Sequence, residues 1–212
     1  MEQTFFVLEI IGTCAFAYSG AAAAMKKHLD IFGVLFCSML TALGGGVLRD
    51  VLLGNLPPVI FSDYSYLCFA AGSSVAAFIA AKIMKEQYEK NIVAIDRINN
   101  IFDAVGLGVF TIAGINTAFS AGFGDNAFFS VFLGMTTGCC GGILRDISIR
   151  EVPLVFSKRV YAAASVLGGC LYYFLYRNIG ANEIIAAVCS VAAIFILRIL
   201  ASVFRWDLPK AY

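Results

Sequence analysis

Gly44-Gly45-Gly46-Val47-Leu48-Arg49-Asp50 and Cys140-Gly141-Gly142-Ile143-Leu144-Arg145-Asp146 are two versions of one seven-residue phrase, 96 residues apart. Extended to Pro57 and Pro153, six of fourteen positions are identical and four more exchange one aliphatic residue for another. The stretches upstream align as well, at an offset of 94: Glu9 meets Asp103, Gly12 meets Gly106, Phe16 meets Phe110, Gly20 meets Gly114 and Ala24 meets Ala118. A two-residue difference in the following loop reconciles the offsets. Such internal similarity is the signature of a repeated structural unit.

Composition decides what kind of unit repeats. The 212 residues are 60% hydrophobic and 14% charged, against about 45–50% and 25% for a soluble domain. That excludes a soluble enzyme and a disordered chain. A net charge of +1 supplies no basic field for phosphate and excludes nucleic acid as a partner. A spanning helix needs about 20 apolar residues. Seven apolar segments fit, at about 4–24, 32–54, 65–84, 99–119, 127–148, 160–177 and 182–204. The expected fold is therefore an all-α membrane protein of seven transmembrane helices, forming a single domain over 1–212 with the lipid bilayer as its surroundings. Repeat 1 covers about 4–84, repeat 2 about 99–177, and an extra helix about 182–204. Each repeat holds three helices, so its two copies enter the membrane from opposite sides and are inverted, an architecture of secondary transporters and some channels.

Alternating the loops between two sides puts thirteen Lys and Arg on one side and only Arg49 and Arg177 on the other. The positive-inside rule then places the N-terminus outside and the C-terminus in the cytoplasm of the cell's inner (plasma) membrane. Trp206, beside a basic cluster, suits the interface. The first apolar stretch is not read as a signal peptide, because Met1-Glu2-Gln3 carries no Lys or Arg and the stretch has a counterpart in mid-chain.

The chemistry concentrates in and around the repeated phrase. Glycine costs roughly 1 kcal/mol relative to alanine in a helix interior. Gly44, Gly45 and Gly46 in helix 2, and Gly141 and Gly142 in helix 5, therefore weaken two helices at matching depths. Either they let helices pack closely, or they kink and expose carbonyls that can replace the hydration shell of a monovalent cation. Arg49, Asp50, Arg145 and Asp146 follow directly. A charge at mid-span costs about 2.5–3.5 kcal/mol on insertion scales, so all four are expected to face the protein interior, a water-filled cavity or the interface. Neighbours in sequence do not share a helix face. Each Arg and Asp is therefore expected to pair with another helix, with Glu9 and Asp103 as candidate partners. Ser19, Thr111 and Asn116 are polar mid-span residues suited either to a pore wall or to contacts between helices.

Seven cysteines in apolar stretches, with no Cys-x-x-Cys, argue against a disulfide framework or a zinc site. His28 is the single histidine and lies in a basic loop. No catalytic triad, metal site or phosphate-binding loop is evident, so no enzyme, cofactor or metal is expected.

The doubled phrase Gly44–Asp50 and Gly141–Asp146, the seven spans and the outward N-terminus resemble the prokaryotic trimeric intracellular cation (TRIC) channel family. Its bacterial members overlap a family described as glycine transporters. The resemblance covers about 4–204. It implies a homotrimer in which each protomer holds its own hourglass pore, lined by glycine-kinked helices 2 and 5 and passing K⁺, with Na⁺ also permeant. The hinge positions carried over are Gly44, Gly45, Gly46, Gly141 and Gly142. Cys140 departs from a full triple glycine in the second copy. The alternative function is a carrier of glycine or another small neutral amino acid, since broken-helix N-termini suit a carboxylate. A membrane scaffold without transport is a third reading.

Overall fold

The computed structural model describes residues 2–84, 91–157 and 160–206. Lys85, Lys90, Lys158, Arg159 and Lys210, which enter the Lys and Arg count, lie outside the described residues. The described residues form eight α-helices and no strand. Seven are long: α1 (Glu2–Lys26), α2 (Ile31–Leu53), α3 (Ser65–Ile83), α4 (Ile92–Ala118), α5 (Ala127–Ser148), α6 (Ala162–Tyr173) and α7 (Glu183–Val203). The eighth is a single turn at Leu154–Ser157.

Short polar side chains start the helices by accepting backbone N–H groups that have no partner within the helix. Asp30 accepts from Gly33 at 2.8 Å, Asn126 from Phe129 at 3.0 Å and Asn182 from Ile184 at 3.0 Å. α2 stops where Gly54 takes φ +74°, a left-handed conformation that glycine adopts without penalty. The corresponding stop after α5 uses Arg150 at φ +57°. In both, a following amide returns to the aspartate carbonyl: Asn55 N–H to Asp50 at 2.9 Å, Glu151 N–H to Asp146 at 2.8 Å.

Among the described residues, six helical stretches are long and apolar enough to cross a membrane: Thr4–Lys26, Ile31–Leu53, Ser65–Ile83, Val93–Phe123, Ala127–Ser148 and Glu183–Val203. The expected sixth span, 160–177, falls short of the other six. α6 has 12 residues and a π-helical extension, Phe174–Asn178, adds 5. At ~1.5 Å per residue the whole covers about 25 Å, less than the ~30 Å of a hydrocarbon core. α4 begins at Ile92 rather than near 99. Its first two turns carry Asp96 and Arg97, and apolarity alone does not register a polar turn that continues a helix.

α1, α2 and α3 pack on one another, as do α4, α5 and α6. The two groups meet along α1 against α4 and α2 against α5, and α7 lies against α4 and α6. Glycines set the closest approaches. A Cβ on Gly45 would lie 2.0 Å from the Thr137 carbonyl oxygen, and one on Gly141 would lie 2.0 Å from the Thr41 carbonyl oxygen. Thr41 and Thr137 are themselves 96 residues apart, so the contact is reciprocal. Gly20 lies against Cys37, Ser38 and Thr41 just as Gly114 lies against Leu133, Gly134 and Thr137. The matched rings of Phe16 and Phe110 stack on each other at 5.3 Å between centroids. Lipid tails are as apolar as these side chains, so such close packing, rather than release of water, holds helices together at membrane depth.

The outer surface is apolar. Phe32 and Phe128, again 96 apart, are 73% and 81% exposed, and each stacks on the ring one turn further on, Phe36 and Phe132. Exposed apolar area on this scale marks a surface that meets lipid or another subunit.

Candidate functional site: a buried charge network and its matched partner

α5 carries Arg145 into the interior, where its side chain is 2% exposed. Its Nε donates to Asp146 Oδ1 at 2.8 Å, and Nη1 donates to Asp103 Oδ1 on α4 at 2.8 Å and to Ser19 Oγ on α1 at 2.6 Å. The second oxygen of Asp103 accepts from Arg198 Nη2 on α7 at 3.4 Å, and Arg198 also donates to Asn100 at 3.2 Å. The Arg198 guanidinium stands over the Tyr161 ring, 4.4 Å from its centroid, a favourable cation–π placement. The second oxygen of Asp146 accepts the Leu154 N–H at 2.9 Å. Two arginines and two aspartates make the cluster neutral. Removing one member would leave an uncompensated buried charge, at a cost of about 3–5 kcal/mol.

α2 presents the matching pair in the first half. Arg49 donates from Nε to Asp50 Oδ1 at 2.9 Å, and its Nη2 lies 2.8 Å from the same oxygen. Asp50 Oδ2 accepts the Val59 N–H at 3.0 Å, as Asp146 does from Leu154. Glu9, the match of Asp103, accepts from Tyr66 rather than from an arginine. The Arg49 side chain is 14% exposed, so its environment is wetter than that of Arg145.

One expectation needs correction. Each arginine does pair with the aspartate that follows it, because its side chain is long enough to fold back onto the next carboxylate. That carboxylate is held in place by an amide beyond the helix end. Among the described residues, Arg145 but not Arg49 also reaches other helices, through Asp103 and Ser19. The backbone of α2 and α5 stays helical through Gly44, Gly45, Gly46, Gly141 and Gly142. Gly45 and Gly141 are occupied by close backbone approach, and a Cβ on Gly44 would meet Leu144 at 2.5 Å. A Cβ on Gly142 would meet the Tyr161 hydroxyl at 2.9 Å, whereas the nearest atom to one on Gly46 is Arg49 Nη2 at 4.0 Å.

The polar mid-span residues divide. Ser19 belongs to the Arg145 cluster. Thr111 is buried, donates to Leu107 of its own helix at 2.7 Å and shares a 2.7 Å hydrogen bond with Ser165 of α6. Asn116 accepts from Tyr172. Thr111 and Asn116 thus join α4 to α6, away from the arginine. All seven cysteines are free thiols.

Arg198, Tyr66 and Tyr161 are site residues that the sequence reading overlooked. A signal existed for each. Arg198 is the one charge inside an otherwise apolar α7, beyond Glu183 at its first position, and an intramembrane charge is a functional pointer by default. Tyr66 and Tyr161 are 95 residues apart, within the shift already seen between the halves.

The fold and the buried charges define a multi-pass helical membrane protein. The family described as glycine transporter matches residues 6–82 and 100–177, and the chain belongs to that family. It is 33% identical over 201 residues to the UPF0126 inner membrane protein YadS of Escherichia coli K12, covering 95% of this chain and 92% of that one. Its fold is that of the prokaryotic TRIC channels. A prokaryotic TRIC channel crystallised in 0.5 M KCl superposes with a TM-score of 0.87 at 33% identity, covering 98% of this chain and 100% of that chain. The TRIC trimeric intracellular cation channel orthologue from Rhodobacter sphaeroides gives 0.84 at 29% identity, covering 96% and 99%.

Proposed function

We infer that the protein is a channel for monovalent cations, conducting K⁺ and also Na⁺ through a pore within each protomer of a homotrimer. The observation that carries this reading is the neutral Arg145–Asp103–Asp146–Arg198 cluster with Ser19, buried at the meeting of α1, α4, α5 and α7 in a chain that superposes along nearly its whole length on TRIC cation channels. An arginine in a cation path is a barrier. Here Asp103 and Asp146 hold it, so conduction requires Arg145 to move aside while those carboxylates stay and attract the cation. α2 and α5, which carry Arg49, Asp50, Arg145 and Asp146, line the path. K⁺ is the permeant ion, and no cofactor or catalytic step enters.

The architecture that goes with this function is two inverted three-helix repeats, about 4–84 and 99–177, plus α7. The reciprocal Gly45–Thr137 and Gly141–Thr41 contacts support a two-fold relation between them. α6 completes the count of seven spans with its π extension. Lys and Arg asymmetry supports an inner-membrane orientation with the N-terminus outside and the C-terminus in the cytoplasm.

A second reading, a carrier of glycine or another small neutral amino acid, is favoured by the description of the matching family. It calls for helix N-termini opened at mid-membrane, and the unbroken α2 and α5 weigh against it. Single-channel recording of purified protein in planar bilayers under asymmetric KCl tests the two. Discrete openings reversing near the K⁺ potential are expected. Silence in the bilayer, with saturable uptake of labelled glycine into liposomes, would overturn the channel in favour of the carrier.

A further inference from the structure

One four-residue set occurs twice: an acid (Glu9, Asp103), a tyrosine (Tyr66, Tyr161), an arginine (Arg49, Arg145) and an aspartate (Asp50, Asp146). The two copies are bonded differently. In the first, the Tyr66 hydroxyl donates to Glu9, and among the described residues Arg49 bonds only its neighbour Asp50. In the second, Asp103 is taken by Arg145, and the Tyr161 hydroxyl is buried without a hydrogen-bond partner among the described residues. An unbonded hydroxyl at full burial is a group waiting for an acceptor.

The copies also sit at opposite ends of the bundle. α1 and α4 run antiparallel, because Lys26 at the end of α1 pairs with Asp96 near the start of α4 at 2.8 Å. Glu9 and Ser19, which belong to different copies, are about 15 Å apart along α1 at ~1.5 Å per residue.

We propose that the tyrosine and the arginine of each set compete for its one acid, and that the two copies display the two positions of this exchange. With the tyrosine on the acid, the arginine is released toward the aqueous path. With the arginine on the acid, it is locked and the tyrosine hydroxyl is freed. Tyr66 and Tyr161 are therefore positioning residues for Arg49 and Arg145. The sequence supplies the bias. Ser19, which bonds Arg145, aligns with Ala113, which has no hydroxyl to offer Arg49. Arg198 adds a second bond to Asp103 and stacks on Tyr161, and lies in α7, outside the repeated segments. Both additions hold the second copy in its arginine-bound position.

The exchange rests on the channel reading for its effect on current, but not for its effect on stability. Purified Tyr66→Phe, Tyr161→Phe and the control Tyr173→Phe are compared by planar-bilayer recording and by thermal melting in detergent. Tyr173 donates to the Gly124 carbonyl at 2.9 Å, away from both sets. Tyr66→Phe is expected to lower Tm and, by letting Glu9 capture Arg49, to lower open probability several-fold. Tyr161→Phe loses no hydrogen bond, so its Tm is expected to be unchanged or raised while open probability falls several-fold. Tyr173→Phe leaves open probability unchanged. A merely structural tyrosine would move Tm without this pattern. Unchanged gating in Tyr161→Phe, or a Tyr66→Phe gating effect that persists undiminished in Glu9→Gln, overturns the exchange. If the unmodified protein passes no current, the channel reading fails, and the melts alone decide. Arg49→Gln is then expected to cost more in Tm in the Tyr66→Phe background than in the unmodified chain, because Arg49 has moved onto Glu9. Equal costs overturn the exchange.

Discussion

Gly45 and Gly141 leave no room for a methyl group. A Cβ at either position would sit 2.0 Å from a backbone carbonyl oxygen of the facing helix, and backbone cannot rotate away as a side chain can. Overpacking of this kind costs about 1–3 kcal/mol or more. Gly45→Ala and Gly141→Ala are therefore expected to lower the thermal midpoint by similar amounts. Gly46→Ala serves as the contrast, since its Cβ would meet nothing closer than 4.0 Å. It is expected to be neutral or to stabilise by up to about 1 kcal/mol through helix propensity. Melting curves of the three variants check this, and equal losses in all three would refute it. Asp103 is the other residue whose loss should be felt, because it neutralises two buried arginines. Asp103→Asn is expected to cost about 3–5 kcal/mol of stability and to reduce cation current, since two buried positive charges then share only Asp146. A variant with wild-type Tm and current would show that the cluster is dispensable.

At the scale of elements, the C-terminal parts of α2 and α5 combine charge with close packing. Each ends in an arginine–aspartate pair whose aspartate also accepts an amide from the loop beyond it, Val59 or Leu154. The segment leading to the third helix of each half is thereby tied to the helix before it. α7 adds Arg198 to one half only. Arg198→Met keeps much of the side-chain length but removes the bonds to Asp103 and Asn100 and the stack on Tyr161. With Arg145 still neutralised by Asp103 and Asp146, folding is expected to survive with a lower Tm, and open probability is expected to rise as Asp103 loses one of its two arginines. Unchanged gating at lowered Tm would make α7 a buttress alone. The repeated phrase told where these elements lie, because identity at a constant offset is independent of geometry. It could not tell whether the glycines bend the helix or admit a neighbour. Both uses demand the absence of a Cβ, and the close approach of the facing carbonyls of Thr41 and Thr137 shows only in the tertiary structure.

At the scale of the whole molecule, exposed ion pairs contribute little. Lys26–Asp96 and Lys27–Glu151 lie at the surface, where such pairs are worth about 0–1 kcal/mol. Lys26→Ala is expected to change stability by less than ~1 kcal/mol for that reason, read as a small shift in Tm. The same lysines matter more for orientation. Labelling by membrane-impermeant reagents of single cysteines placed in the 27–30 turn and in the 122–126 turn, in a cysteine-free background, checks the topology. The first is expected to be reached only from the cytoplasm and the second only from outside. The reverse pattern would invert the proposed orientation.

By itself the sequence determined the all-helical membrane class, the two matched halves and the places of the charged residues. Each of these follows from composition, segment length or self-similarity, none of which needs a contact to be known. The tertiary structure alone decided which charges meet. Glu9 and Asp103 look equivalent along the chain, yet one receives a tyrosine and the other two arginines, because Ser19 and Arg198 flank only the second. It also decided that Gly45 and Gly141 lie against the carbonyls of Thr137 and Thr41, and that α6 is a 12-residue helix continued by a five-residue π turn. Partner choice depends on what stands across a gap of a few ångströms, and residues at those distances here are up to 126 positions apart in the chain.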